Sequence, residues 1–109
     1  MEITRGDLVT IALSGDYGKP RPALVVRSDH FAALPSLTVL PLTSDLRDEH
    51  LLRITIEPTG QNGLNRPSQV MIDKITTVPR ARTGKRIGVV ESRKMQIVEG
   101  ALVGFLALA

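Results

Sequence analysis

The sequence predicts a mainly β domain: six or seven short strands in a strongly bent antiparallel sheet or small barrel, with one C-terminal helix. Three observations lead there. Short apolar runs are separated at close intervals by Gly, Pro, Asn and Asp, the punctuation of strands and turns. No strand pattern alternates with a helical one, so the crossovers of a parallel sheet are missing. Only the last stretch of the chain carries a helical period. With 109 residues, the chain forms a single domain, residues 1–109, around one core.

Each element has its own reason. Arg5-Gly6 turns the chain into a first strand, Asp7 to Leu13. Ser14 to Pro22 is a loop with two Gly and two Pro. Ala23 to Arg27 is a short, mostly buried strand, because its apolar run does not alternate. Ser28 to Pro35 is irregular or one helical turn. Leu37 to Leu42 is apolar again, but Pro41 lacks an N–H and demotes it to an edge, a bulge or a strand end. Leu51 to Glu57 alternates, with Ile54 and Ile56 on one face and Arg53, Thr55 and Glu57 on the other. Pro58 to Pro67 is a long Gly/Asn/Pro loop. Ser68 to Ile72, Ile75 to Val78 and Arg86 to Val90 complete the strands. Ser92 is placed to N-cap a helix reaching Leu106. Val98, Ala101, Leu102 and Phe105 recur at i, i+3, i+4 and i+7, giving that helix one apolar face. Gly100 and Gly104, costly in a helix, read as a stripe where another backbone approaches closely.

Composition narrows the function classes. Hydrophobic residues make up 42% of the chain and aromatic residues only 3%, so the core is aliphatic. Tyr17, Phe31 and Phe105 are too few for a base-stacking platform. The net charge is +3 and the sequence pI about 9.8, which favours a polyanionic partner. The absence of cysteine excludes disulfides, thiolate catalysis and Cys-based zinc sites. His30 and His50 lie far apart, and no motif indicates a metal or a cofactor. The first residues do not form a signal peptide, and the apolar C-terminal segment is short and broken by Gly. A cytoplasmic location without membrane association is the simplest expectation.

Arg21 is the most telling residue. It stands between Pro20 and Pro22, directly before the apolar run Ala23-Leu24-Val25-Val26. Both prolines restrict its backbone, so a permanently charged planar fork is held at the mouth of a buried strand. That arrangement suits a pair of anionic oxygens, above all a phosphate. Thr43 and Ser44 likewise follow an apolar strand, and Asp73 follows Val70-Met71-Ile72. Taken alone, each has a plain alternative: a solvated arginine, a hydroxyl turn, a carboxylate capping a neighbouring amide.

The motifs Arg5-Gly6-Asp7-Leu8-Val9, Arg21-Pro22-Ala23-Leu24-Val25-Val26, Pro41-Leu42-Thr43-Ser44, Gly63-Leu64, Val70 through Val78 and Gly84-Lys85-Arg86-Ile87-Gly88 occur in that order. Together they resemble the MazF/PemK family of toxin–antitoxin ribonucleases over nearly the whole chain. The resemblance implies a small SH3-like barrel of the CcdB/PemK type, a homodimer, and metal-independent cleavage of single-stranded RNA at short sequences. It also implies neutralisation by an antitoxin whose flexible tail lies across the active site. It makes Arg21 and Thr43 the residues most tied to cleavage. One plasmid-borne branch of the family adds an Asp, matching Asp73, as candidate base for the 2′-OH.

Lys19, Ser44 and Tyr17 are the accompanying candidates for RNA binding. Two departures stand out: Met71 occupies the place of that branch's second Arg, and the first loop is short and holds Asp16-Tyr17. The competing readings are a non-catalytic CcdB-like toxin that binds a protein target such as a DNA gyrase, and a degenerate copy kept as a binding module.

Overall fold

The computed structural model describes residues 2–12 and 19–109. Seven strands form: β1 (Asp7–Ile11), β2 (Arg21–Val25), β3 (Ser36–Thr43), β4 (Arg53–Ile56), β5 (Ser68–Met71), β6 (Thr76–Pro79) and β7 (Thr83–Val89). One helix follows, α1 (Ser92–Leu106). Every pairing is antiparallel, in the order β4-β5-β3-β2-β1-β7, with β6 also on β3. No ladder joins β4 to β7 among the described residues, so the bent sheet stays open and is not a closed barrel.

The central strands are apolar on both faces because both are covered. Leu8, Leu24, Leu40 and Leu42 point to one side, where Ile54, Ile56, Val70 and Ile72 join Met95, Val98 and Leu102 of α1. Val9, Ile11, Ala23, Val25 and Val39 point to the other, under Ile3 and Val78. The period-two geometry of a strand therefore divides one apolar run between two clusters.

Pro41 does not lie at an edge or an end. It pairs with Ala23 inside the central strand β3. On its other side β3 bonds β6 through residues 36–39 and β5 through residues 42–43. Pro41 falls in the gap where the partner changes, so its missing N–H costs the ladder little.

The helix differs from the sequence reading in three respects. Its N-cap is Glu91, with no side-chain cap bond, and Ser92 is already helical. A Cβ on Gly100 or Gly104 would meet nothing within 4 Å, so no backbone among the described residues approaches that stripe. The buried stripe is Met95, Val98 and Leu102, and Phe105 is exposed. No described helix is long and apolar enough to cross a membrane.

Candidate active site

Arg21 opens β2, with its backbone paired to Ile11 of β1. The β2–β3 register pairs Ala23 with Pro41. Continued by two residues, it sets Arg21 opposite Thr43, on the face the two share with Ala23 and Pro41. Thr43 is in turn the partner of Gln69 on β5. The two strand ends singled out in the sequence thus meet through register, although 21 positions separate them.

Thr43 is half-buried, and its Oγ1 accepts the Asp45 N–H at 3.1 Å. This bond orients the oxygen and leaves the hydroxyl proton to be donated elsewhere. Behind it Gln69, 5% exposed, braces the loop that follows β3. Its Oε1 accepts the Arg47 N–H at 3.0 Å, and its Nε2 donates to the Arg47 carbonyl at 2.9 Å and to Thr55 Oγ1 at 3.2 Å.

A cavity of about 670 Å³ opens at this end of the sheet. Arg21, Pro22, Thr43 and Ser44 line one side of it, and Asn65, Arg66, Lys85 and Arg86 the other. Its described lining contains four cationic side chains, Arg21, Arg66, Lys85 and Arg86, and no carboxylate or imidazole. Arg86 is already balanced: its Nε donates at 3.0 Å to Asp7, whose side chain is only 3% exposed. Asp7 is held in turn by the Thr4 N–H at 2.9 Å. Cationic forks and hydroxyls arranged like this can hydrogen-bond anionic oxygens such as those of a phosphate.

The opposite wall is placed by two glycines. Gly63 has φ +70°, and a Cβ there would stand 2.1 Å from the Ile87 carbonyl oxygen. A Cβ on Gly88 would stand 2.3 Å from the Asn62 carbonyl. The loop after β4 therefore lies backbone to backbone on β7, tied by the Val89 N–H to the Gln61 carbonyl at 2.9 Å. This seating carries Asn65 and Arg66 to the cavity.

Arg21, Thr43 and Ser44, expected from the sequence, come together here. Lys19 is exposed beside Pro20 but does not line the cavity. Tyr17 lies outside the described residues. Asp73 does not join the site. The chain leaves β5 at Met71 and enters a 3-10 turn, Ile72–Lys74, packed against α1. Thr43 faces Gln69, whereas Asp73 lies past the far end of β5 with its Oδ1 buried and without a hydrogen-bond partner among the described residues. His30 and His50 are also absent from the lining, and no group of three metal-ligating side chains occurs among the described residues.

Sequence reasoning missed Asn65, Arg66 and Lys85 as members of the site. The available signal was Asn62-Gly63, a turn pair, together with the glycines of Gly84-Lys85-Arg86-Ile87-Gly88.

Comparison with known proteins bears on this arrangement. Residues 4–106 match the model of the PemK-like, MazF-like toxin family of type II toxin–antitoxin systems. A relative in Mycolicibacterium smegmatis, named "Probable endoribonuclease MazF", is 47% identical over 106 residues, covering 96% of this chain and 97% of the relative. The Mycobacterium tuberculosis toxin MazF-mt6 superposes with a TM-score of 0.77 at 27% identity, over 94% of this chain and 98% of its own. A MazE–MazF complex from Deinococcus radiodurans superposes with a TM-score of 0.80 at 20% identity, over 100% and 99% of the two chains. At that identity the last likeness concerns the fold.

Proposed function

Because the chain belongs to the PemK-like, MazF-like family of type II toxin–antitoxin toxins, we propose that it is an endoribonuclease toxin cutting single-stranded RNA in its cationic cavity. The observation that carries this reading is the lining itself: Arg21 and Thr43 beside Arg66 and Lys85, with no carboxylate among the described lining residues to repel a phosphate.

RNA supplies its own nucleophile, so the protein need not provide one. The 2′-OH attacks the adjacent phosphorus, the P–O5′ bond breaks, and the products carry a 2′,3′-cyclic phosphate and a 5′-hydroxyl. The transition state places extra negative charge on the phosphoryl oxygens, where fixed donors count most. Arg21 clamps those oxygens with its planar fork, and its high pKa suits it to stabilising charge rather than accepting a proton. Thr43, its oxygen oriented by the Asp45 N–H, donates a hydrogen bond to the same phosphate. Ser44 binds a neighbouring phosphate oxygen. With Asp73 off the cavity, the 2′-OH proton leaves to water or to a phosphate oxygen, and the departing 5′-oxygen takes up a proton from water to become the 5′-hydroxyl. DNA lacks the hydroxyl and resists.

A MazE-type antitoxin neutralises the toxin by laying a flexible tail across the same cavity, and the toxin acts as a homodimer in the cytoplasm. The purified protein, freed of antitoxin and supplied with EDTA, will cut mixed-sequence RNA at discrete sites, leaving 5′-hydroxyl ends. Arg21→Ala will fold as the native protein does and lose about 10²–10³-fold in rate, the scale of one lost transition-state donor. A folded native protein that leaves such RNA intact would overturn the reading and favour a toxin that binds a protein target.

A further inference from the structure

Asn65 is chemically distinct within the cavity. Its neighbours there are cations, hydroxyls and apolar groups, and it contributes the one side-chain amide in the described lining. Cations and hydroxyls recognise phosphate and sugar, which every nucleotide has. An amide presents a donor and an acceptor side by side, the pattern needed to tell one base edge from another.

Its backbone is unusually well held for a loop. Asn62, 4% exposed, is a knot just upstream. Its Oδ1 accepts from the Thr59 and Leu64 N–H groups, both at 3.0 Å, and its Nδ2 donates to the Glu57 carbonyl at 2.8 Å. Its own N–H donates to Thr59 Oγ1 at 3.1 Å. Leu64 is buried in the core beneath α1. On the other side of Asn65, the Arg66 carbonyl accepts from Ser68 Oγ at 3.1 Å, and Pro67 stiffens the exit. Asn65 is thus an exposed residue between two anchored ones. Its amide has no hydrogen-bond partner among the described residues. This investment in rigidity is unnecessary for a solvated loop tip, but a group that discriminates between substrates must be fixed in this way.

We infer that Asn65 reads the edge of a base flanking the scissile phosphate and so contributes to the sequence preference of cleavage. The inference rests on the ribonuclease reading above. The test is cleavage of an RNA library randomised around the cut, with the ends sequenced, by the native protein, Asn65→Ala and Lys85→Ala. Asn65 is exposed, so its alanine variant will fold. Asn65→Ala is expected to keep cutting while its preference at one position falls at least about fivefold, the lower end for loss of a paired base contact. Lys85→Ala, which removes a phosphate contact, is expected to weaken cutting evenly across sequences. An Asn65→Ala protein with the native preference at every position would overturn the role of Asn65 alone. A native protein that cuts nothing would overturn the ribonuclease reading, and this inference with it.

Discussion

Gly88→Ala tests the seating of the loop on β7, which places one wall of the cavity. The added Cβ would stand 2.3 Å from both the carbonyl carbon and oxygen of Asn62 and 2.5 Å from the Gln61 oxygen. All three are backbone atoms, so no side-chain rotation relieves the clash. The loop must lift from β7, weakening the bond from the Val89 N–H to the Gln61 carbonyl, now 2.9 Å. Overpacking costs about 1–3 kcal/mol and a lost hydrogen bond about 1 kcal/mol, giving roughly 2–4 kcal/mol together. At about 4 °C per kcal/mol for a domain of this size, Tm falls by roughly 8–16 °C. The same displacement moves Asn65 and Arg66, so RNA cleavage at a temperature where the variant is still folded also declines. Gly100→Ala is the internal control. Its Cβ meets nothing within 4 Å, and replacing an exposed helical Gly stabilises by about 0.5–1 kcal/mol. Thermal melts followed by circular dichroism should move in opposite directions for the two variants. A Gly88→Ala protein melting together with the native one would refute the argument that backbone contact fixes this wall.

The remaining predictions concern the site and its supports. Asp73→Asn is expected to leave the single-turnover cleavage rate unchanged, because Asp73 does not line the cavity; a substantial loss would return it to the chemistry. Gln69→Leu removes the three hydrogen bonds to Arg47 and Thr55, costs roughly 2 kcal/mol in denaturant melts, and lowers the cleavage rate through the loop beside Thr43. Asp7→Asn keeps an acceptor for the Thr4 N–H but loses the ion pair with Arg86. It should destabilise by about 1–3 kcal/mol, read as a lower denaturant midpoint.

Local chemistry made much of this protein legible. Apolar runs cut by Gly and Pro located all seven strands to within a few residues, and the helical period located α1. Residues held at strand ends by their immediate neighbours, Arg21 by two prolines and Thr43 by the strand before it, could be chosen from the chain because their constraint is local. What depended on long-range register could not. Pro41 is harmless inside β3 only because two different partners meet there. Asp73 looked equivalent to Thr43, each a polar group after an apolar strand, yet the two lie at opposite ends of the β3–β5 ladder. The Gly100/Gly104 stripe would let another backbone approach closely, but none of the described residues does. Asn65 and Arg66 reach the site because Gly63 and Gly88 let two backbones touch, and Lys85 because β7 pairs with β1. Local sequence settled which segments become strands and set Arg21, between two prolines, at the start of one of them. Which strand ends share a cavity was decided by the tertiary structure, because antiparallel register and backbone contact join residues whose local sequences carry no information about one another.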